Sequence, residues 1–128
     1  MVDKTGGPVS KRRGDEAEDR ALAHLQAQGL RLLERNYRVA RGPSTRGGEI
    51  DLVLSDRDGT LVFVEVRSRG TTGQGGAAAS IGPTKRRRLV FAARTYLSRL
   101  AVPPKCRFDV VAIDKGCIEW LPGAFDAG

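Results

Sequence analysis

Asp51, Glu65 and Arg67 are charged side chains placed inside stretches that otherwise read as buried. Gly48-Glu49-Ile50-Asp51 opens one apolar run, and Leu61-Val62-Phe63-Val64-Glu65-Val66-Arg67 forms the next, with an Asp58-Gly59 turn signal between them. A bare carboxylate in an apolar strand is strongly disfavoured unless it is paired or holds a metal. Strand side chains alternate, so Glu49 and Asp51 share one face, and Glu65 and Arg67 share one face. If the two runs pair through the turn, Asp51 and Glu65 converge at one end of the hairpin. Convergent carboxylate oxygens suit Mg2+ or Mn2+. A divalent cation there, with a guanidinium two residues past the second acid, points to phosphodiester chemistry. The alternative is structural: Asp51 and Glu65 as buried ion pairs with Arg67 or Arg38.

The surrounding elements read as follows. Residues 1–13 carry Gly, Pro and Lys without periodicity and are expected to be a flexible tail; residues 14–128 are read as a single domain. Ala17, Ala21, Leu22 and Leu25 recur at helical spacing, which predicts a helix over 14–28 that stops at Gly29. Asp15, Glu16 and Glu18 fall in its first turn, where the helix dipole favours anions. Strands are expected over 30–40 (apolar contributors Leu32, Leu33, Tyr37 and Val39), 49–55 and 60–67, with loops over 41–48 and 70–82. A second helix over 83–100 has Leu89, Ala93, Tyr96, Leu97 and Leu100 as its apolar stripe. Strands over 107–113 and 117–121 flank an Asp114-Lys115-Gly116 turn. The α-β-β-β-α-β-β order predicts an α/β fold, a mixed sheet flanked by helices.

The chain has 128 residues and a formal net charge of +7, a balance that favours an anionic partner. Lys11-Arg12-Arg13, the group Arg31, Arg35, Arg38, Arg41 and Arg46, the pair Arg67 and Arg69, and Lys85-Arg86-Arg87-Arg88 cluster the positive charge. Arginine dominates, and its fork suits phosphate oxygens. Aromatic residues make up only 5%, which argues against a stacking platform for single strands. Cys106 and Cys117 form no CxxC and there is one histidine, so zinc-finger spacing is absent. The cysteines read as buried reduced thiols of a cytoplasmic protein. No apolar run approaches a membrane span, and no signal-peptide pattern opens the chain. His24 is expected on the helix surface, and Asp109, inside an apolar strand, is expected to pair with a basic residue.

The pattern Asp51, thirteen intervening residues, then Glu65-x-Arg67 approaches the D…(D/E)xK signature of restriction-endonuclease-like (PD-(D/E)XK) nucleases. More widely, the chain resembles the YraN-like family of small bacterial proteins, a branch of that superfamily similar in pattern to archaeal Holliday-junction resolvases. The residues that carry the resemblance are Gly14-Asp15, Glu18-Asp19-Arg20-Ala21, Leu25, Gly29, Asn36, Gly48-Glu49-Ile50-Asp51-Leu52, Phe63-Val64-Glu65-Val66-Arg67-x-Arg69, Gly76, Lys85, Arg107-Phe108-Asp109-Val110-Val111 and Ala124-Phe125. The resemblance implies a restriction-endonuclease-like fold and a metal-dependent endonuclease acting on DNA. It implies Asp51 and Glu65 as metal ligands, and Glu18 as the helix glutamate that reaches the metal directly or through water. Arg67 stands where the superfamily has lysine. An arginine stays protonated and is a poor general base, yet it can hold a phosphate or stabilise a charged transition state. The same resemblance implies a homodimer.

Glu18, Asp51, Glu65 and Arg67 are therefore the candidate catalytic residues, and Arg69, Lys85, Arg86 and Arg88 the candidate nucleic-acid contacts. Glu18 also reads as an ordinary helix-start acid or the partner of a nearby arginine, and Lys85 as a solvated helix-start cation. Nothing in the chain reads bases, so recognition of branched DNA, shape or backbone is expected rather than sequence. The competing readings are a non-catalytic nucleic-acid-binding module with a degenerate nuclease site, favoured by Arg67, and an assembly protein that never meets nucleic acid.

Overall fold

The computed structural model describes residues 9–40, 47–68, 81–114 and 117–126, with side chains from Asp15 onward. Helix α1 (Val9–Ala27) is followed by strands β1 (Arg31–Val39), β2 (Gly48–Ser55) and β3 (Leu61–Ser68), helix α2 (Pro83–Leu97), and strands β4 (Cys106–Asp114) and β5 (Cys117–Phe125). The strands form one sheet in the order β1-β2-β3-β4-β5. β3 and β4 are parallel and the other neighbours antiparallel. A parallel pair requires a crossover, and α2 supplies it. The predicted α/β class and element order are found.

Each helix covers one face. Ala17, Ala21 and Leu25 of α1 meet Leu52, Leu54, Val62, Val64, Val111 and Ile113. Leu89, Ala92, Ala93 and Tyr96 of α2 meet Ile50, Val53, Phe63, Phe108 and Val110 on the opposite face. Alternate residues of β3 thus serve two cores, which is why its sequence reads as a continuous apolar run. Full burial of each such side chain stabilises by about 1.5–3 kcal/mol.

The turns follow their residue chemistry. α1 ends in a Schellman arrangement: Leu30 N donates to Leu25 O (3.1 Å) and Gly29 N to Gln26 O (3.0 Å), with Gly29 at φ 99°. The β2–β3 hairpin closes where Gly59 N donates to Asp56 O (3.0 Å) and Thr60 N to Asp58 Oδ1 (3.0 Å). At Gly48 the α2 backbone lies so close that an added Cβ would clash with Arg88 O.

Several expectations need correction. α1 begins at Val9, not at residue 14, so helical backbone enters the expected tail. Asp15, Glu16 and Glu18 consequently lie beyond the first turn, and the dipole argument for them does not apply. Leu33 of β1 is exposed, because a register shift between Leu32 and Glu34 interrupts the alternation of this edge strand. α2 ends at Leu97, where Ser98 N donates to Arg94 O, three residues short of the expected end. β5 runs on to Phe125, four residues past its expected end, through Pro122 and Gly123. Both cysteines are exposed, each at the first position of its strand. His24 is half-buried rather than on the surface, edge-on to Trp120 at 6.4 Å between ring centroids. The segments 1–8, 41–46, 69–80, 115–116 and 127–128 lie outside the described residues, and with them Arg41, Arg46, Arg69, Gly76 and most of both expected loops.

Candidate metal and phosphate site

β2 and β3 pair from Ser55↔Leu61 to Leu52↔Val64; the next step in the same register sets Asp51 opposite Glu65. There the ladder opens. Leu61 N donates to Lys105 O, so alternation turns the Val66 N–H toward β2. Instead of meeting a β2 carbonyl, it donates to Asp51 Oδ2 at 2.8 Å.

Asp51 also marks a change of face. Residues two apart in a regular strand share a face, yet Ile50 lies in the α2-side core and Leu52 in the α1-side core. β1 mirrors the change. Tyr37, partner of Ile50, lies on the α2 side, while Arg35, partner of Leu52, reaches α1. Between them Asn36, opposite Asp51, has φ 53°. This left-handed conformation is one that asparagine tolerates better than most residues. The twist places the Asp51 carboxylate in the opened gap, in electrostatic contact with Glu18 on the α1 side and with Glu65 and Lys85 on the α2 side.

Asp51 and Glu65 are 8% and 4% exposed. Glu65 continues the α2-side face of β3, and its Oε2 lies 3.5 Å from Lys85 Nζ and 3.7 Å from an Arg67 terminal nitrogen. These are long ion pairs, outside good hydrogen-bond range. Glu65 Oε1 is buried and accepts no hydrogen bond. Burial, reinforced by the Glu65 carboxylate, pushes the Asp51 pKa up to about 7 against the pull of the Val66 N–H. Burial also raises Glu65, opposed by Lys85, by a hydrogen bond with Asp51 and by Arg67. Both shifts run upward because two carboxylates buried at one point disfavour carrying two negative charges.

Glu18 stands at the margin. Its Oε1 accepts from an Arg35 terminal nitrogen at 3.4 Å, while the other terminal nitrogen of Arg35 holds Asp19 Oδ1 at 2.9 Å. Burial and the Asp51 carboxylate raise the Glu18 pKa, opposed by hydrogen bonds from Arg35 and, more weakly, Asn36. Among the described residues, no three Asp, Glu, His or Cys side chains close into a cage for an ion. The donor set nevertheless suits Mg2+ or Mn2+, which commonly take one or two carboxylates and complete their shell with water and phosphate oxygens. The buried Glu65 Oε1, which accepts no hydrogen bond, is the oxygen with room in its bonding for such a cation.

The other expected residues separate by surroundings. Lys85, in the first turn of α2, faces Glu65 rather than open solvent. Arg86 Nε donates to Ile81 O at 3.2 Å and its guanidinium lies over Phe125 at 5.3 Å. Arg88 Nε donates to Gly47 O at 3.3 Å. Both are half-buried and tied to the fold, whereas Arg87 is exposed. α2 carries five cations and no acid, and the four in its first two turns oppose the helix dipole. Arg38 pairs with Glu49 (3.7 Å) on the surface, not with Asp51. Arg35 and Asn36 were not anticipated as site residues. A β-strand asparagine across from an in-strand acid was the available signal for the second.

Asp109, fully buried, belongs to a separate structural network. It accepts from Arg107 Nε (3.0 Å), Trp120 Nε1 (2.9 Å) and Gly123 N (2.9 Å), and Arg107 also reaches Asp56 Oδ2 at 3.0 Å. The expected basic partner of Asp109 is therefore Arg107.

No helix among the described residues is long and apolar enough to cross a membrane. Residues 17–113 match the model of a family described as Uncharacterised protein family UPF0102. A UPF0102 protein of Methylibium petroleiphilum is 65% identical over 119 residues, covering 93% of this chain and 98% of the relative. One of Paracidovorax citrulli is 61% identical over 132 residues, covering 98% and 96%, and one of Albidiferax ferrireducens is 59% identical over 124 residues, covering 97% and 94%. The span of the family match includes Glu18, Asp51, Glu65 and Lys85, and with relatives alike over nearly their whole length, the chain belongs to the UPF0102 family.

Proposed function

We propose that this protein is a metal-dependent endonuclease of the restriction-endonuclease-like (PD-(D/E)XK) type, acting on DNA through backbone and shape, with branched DNA as its preferred substrate class. The observation that carries the proposal is the Asp51–Glu65 pair: two buried acids from neighbouring strands at one point, with a buried carboxylate oxygen left without a donor. Asp51 and Glu65 would hold Mg2+ or Mn2+, with Glu18 reaching it directly or through water. When bound, the cation would neutralise charge on the scissile phosphate and lower the pKa of an attacking water.

The protein's own groups do the rest. Lys85 places an ammonium beside Glu65, the charge that the superfamily carries on the lysine replaced here by Arg67. Both cations can donate to phosphate oxygens and stabilise developing negative charge. Arg67, a guanidinium, is not a base. The first turns of α2 add Arg87 and the positive helix end, which together draw a phosphate backbone toward Glu65. A second copy of the chain is part of the proposal as well, because a junction presents two symmetric strands.

The test is a substrate panel of duplex, flap, fork, four-way junction and single strand, with Mg2+ and with Mn2+. Metal-dependent nicking that Asp51→Ala and Glu65→Ala both abolish is expected. Salt-sensitive binding with no cleavage of any substrate would favour a non-catalytic DNA-binding module, the reading supported by Arg67. Cleavage that survives both substitutions would remove the proposed centre.

A further inference from the structure

β1 is one of the two outer strands of the sheet and carries none of the acids expected to hold a cation, yet it touches the site at its least regular point. Asn36 lies opposite Asp51, between the pairs Arg35↔Leu52 and Tyr37↔Ile50. Its φ of 53° is the one positive value among the described non-glycine residues. The left-handed step turns Arg35 to the α1 side, where it reaches Glu18 at 3.4 Å, and leaves Tyr37 in the α2-side core. Without it, Arg35 and Tyr37 would share a face, as residues two apart in a strand do.

We propose that Asn36 is the positioning residue of this centre: its left-handed backbone and side-chain amide hold the Glu18 carboxylate beside Asp51. The inference rests on reading Glu18, Asp51 and Glu65 as the cation-binding acids and adds what orients the third of them. Glu18 comes from a helix, and its long side chain has several rotatable bonds, so nothing in α1 itself points it at Asp51. Arg35 supplies a hydrogen bond to that carboxyl at 3.4 Å, and the neighbouring Asn36 amide, which pulls the Glu18 pKa down, is the donor that the proposal adds. Partners of this outer kind set the direction of a ligand and contribute to metal affinity without touching the ion. A glycine would keep the backbone and lose the amide, so the two contributions are separable.

Two measurements on the full chain test this. In the metal-free protein, the Asn36 side-chain amide resonances should move in Glu18→Ala; resonances that stay in place overturn the hydrogen bond and with it the proposal. Mn2+ binding followed by electron paramagnetic resonance should weaken roughly 10-fold in Asn36→Gly, with the urea midpoint unchanged. In a Glu18→Ala background, Asn36→Gly should have no further effect, because its action runs through that carboxylate. Wild-type affinity in Asn36→Gly, or an equal loss in both backgrounds, overturns the positioning role. A wild-type chain that takes up no Mn2+ overturns the metal centre itself, and the amide resonances still decide whether Asn36 holds Glu18.

Discussion

Asp51 and Glu65 are buried acids with raised pKa values, and that makes metal-free stability depend on pH in a stated direction. An acid whose folded pKa lies above its unfolded value binds its proton more tightly in the native state. The stability it contributes is fully present below the unfolded value of 3.8 and is lost as pH rises through about 7. In chelator, the urea midpoint should therefore fall between roughly pH 4 and pH 7, and Asp51→Asn should flatten the fall and raise the midpoint above pH 7. A wild-type midpoint that rises over that window would contradict the raised value. At the same scale, Lys85→Ala should lower the cleavage rate about 10²-fold or more, as loss of a charge-stabilising donor does, whereas Arg67→Lys should retain cleavage. Equal rates for Lys85→Ala and wild type would leave Lys85 as a mere neighbour of Glu65.

At the scale of elements, two contacts decide how the site is framed. The Cβ of Gly48→Ala would press on Arg88 O, a backbone atom of α2. The helix must lift, at a cost of about 1–3 kcal/mol, and Lys85 would move with it. Denaturant unfolding measures the first effect, and a fall in cleavage beyond the loss of folded protein measures the second. Asp109→Ala separates fold from function. It leaves the Trp120 indole and the Gly123 amide without their acceptor and Arg107 with Asp56 as its remaining acid, and should cost about 1–3 kcal/mol while leaving Mn2+ affinity unchanged in the folded fraction. The same residue explains why β5 outran its expected end. Pro122 and Gly123 read locally as a turn, but the buried Asp109 carboxylate takes the Gly123 amide and holds the strand on the edge, where proline is tolerated. The hairpin and both helices were legible because periodicity and turn residues declare them. Asp51 and Glu65 were legible as acids out of place in apolar strands. The contacts of Arg35 with Glu18 and of Arg107 with Asp56 join residues 17 and 51 positions apart, and no local pattern announces such pairs. Nor does helical periodicity mark where α1 starts, since residues 9–13 add no apolar stripe.

The whole molecule carries a net charge of +7, with α2 as its most one-sided element. Phosphate neutralisation makes affinity fall with salt by about 0.9 in logarithmic slope for each duplex phosphate contacted. Charge reversal at the exposed Arg87 should weaken DNA binding and shallow that slope by roughly one without altering Mn2+ affinity. A slope unchanged by Arg87→Glu would turn DNA away from α2. All of this serves a single arrangement, in which a splayed hairpin brings two buried carboxylates together and leaves one Glu65 oxygen without a hydrogen bond. Mn2+ titration of the isolated chain by calorimetry, at about pH 8 and so above the raised Asp51 value of about 7, probes that arrangement most directly. Saturable binding in wild type that disappears in Asp51→Ala is the predicted result. Identical titrations for the two proteins, whether both bind or neither does, would contradict it.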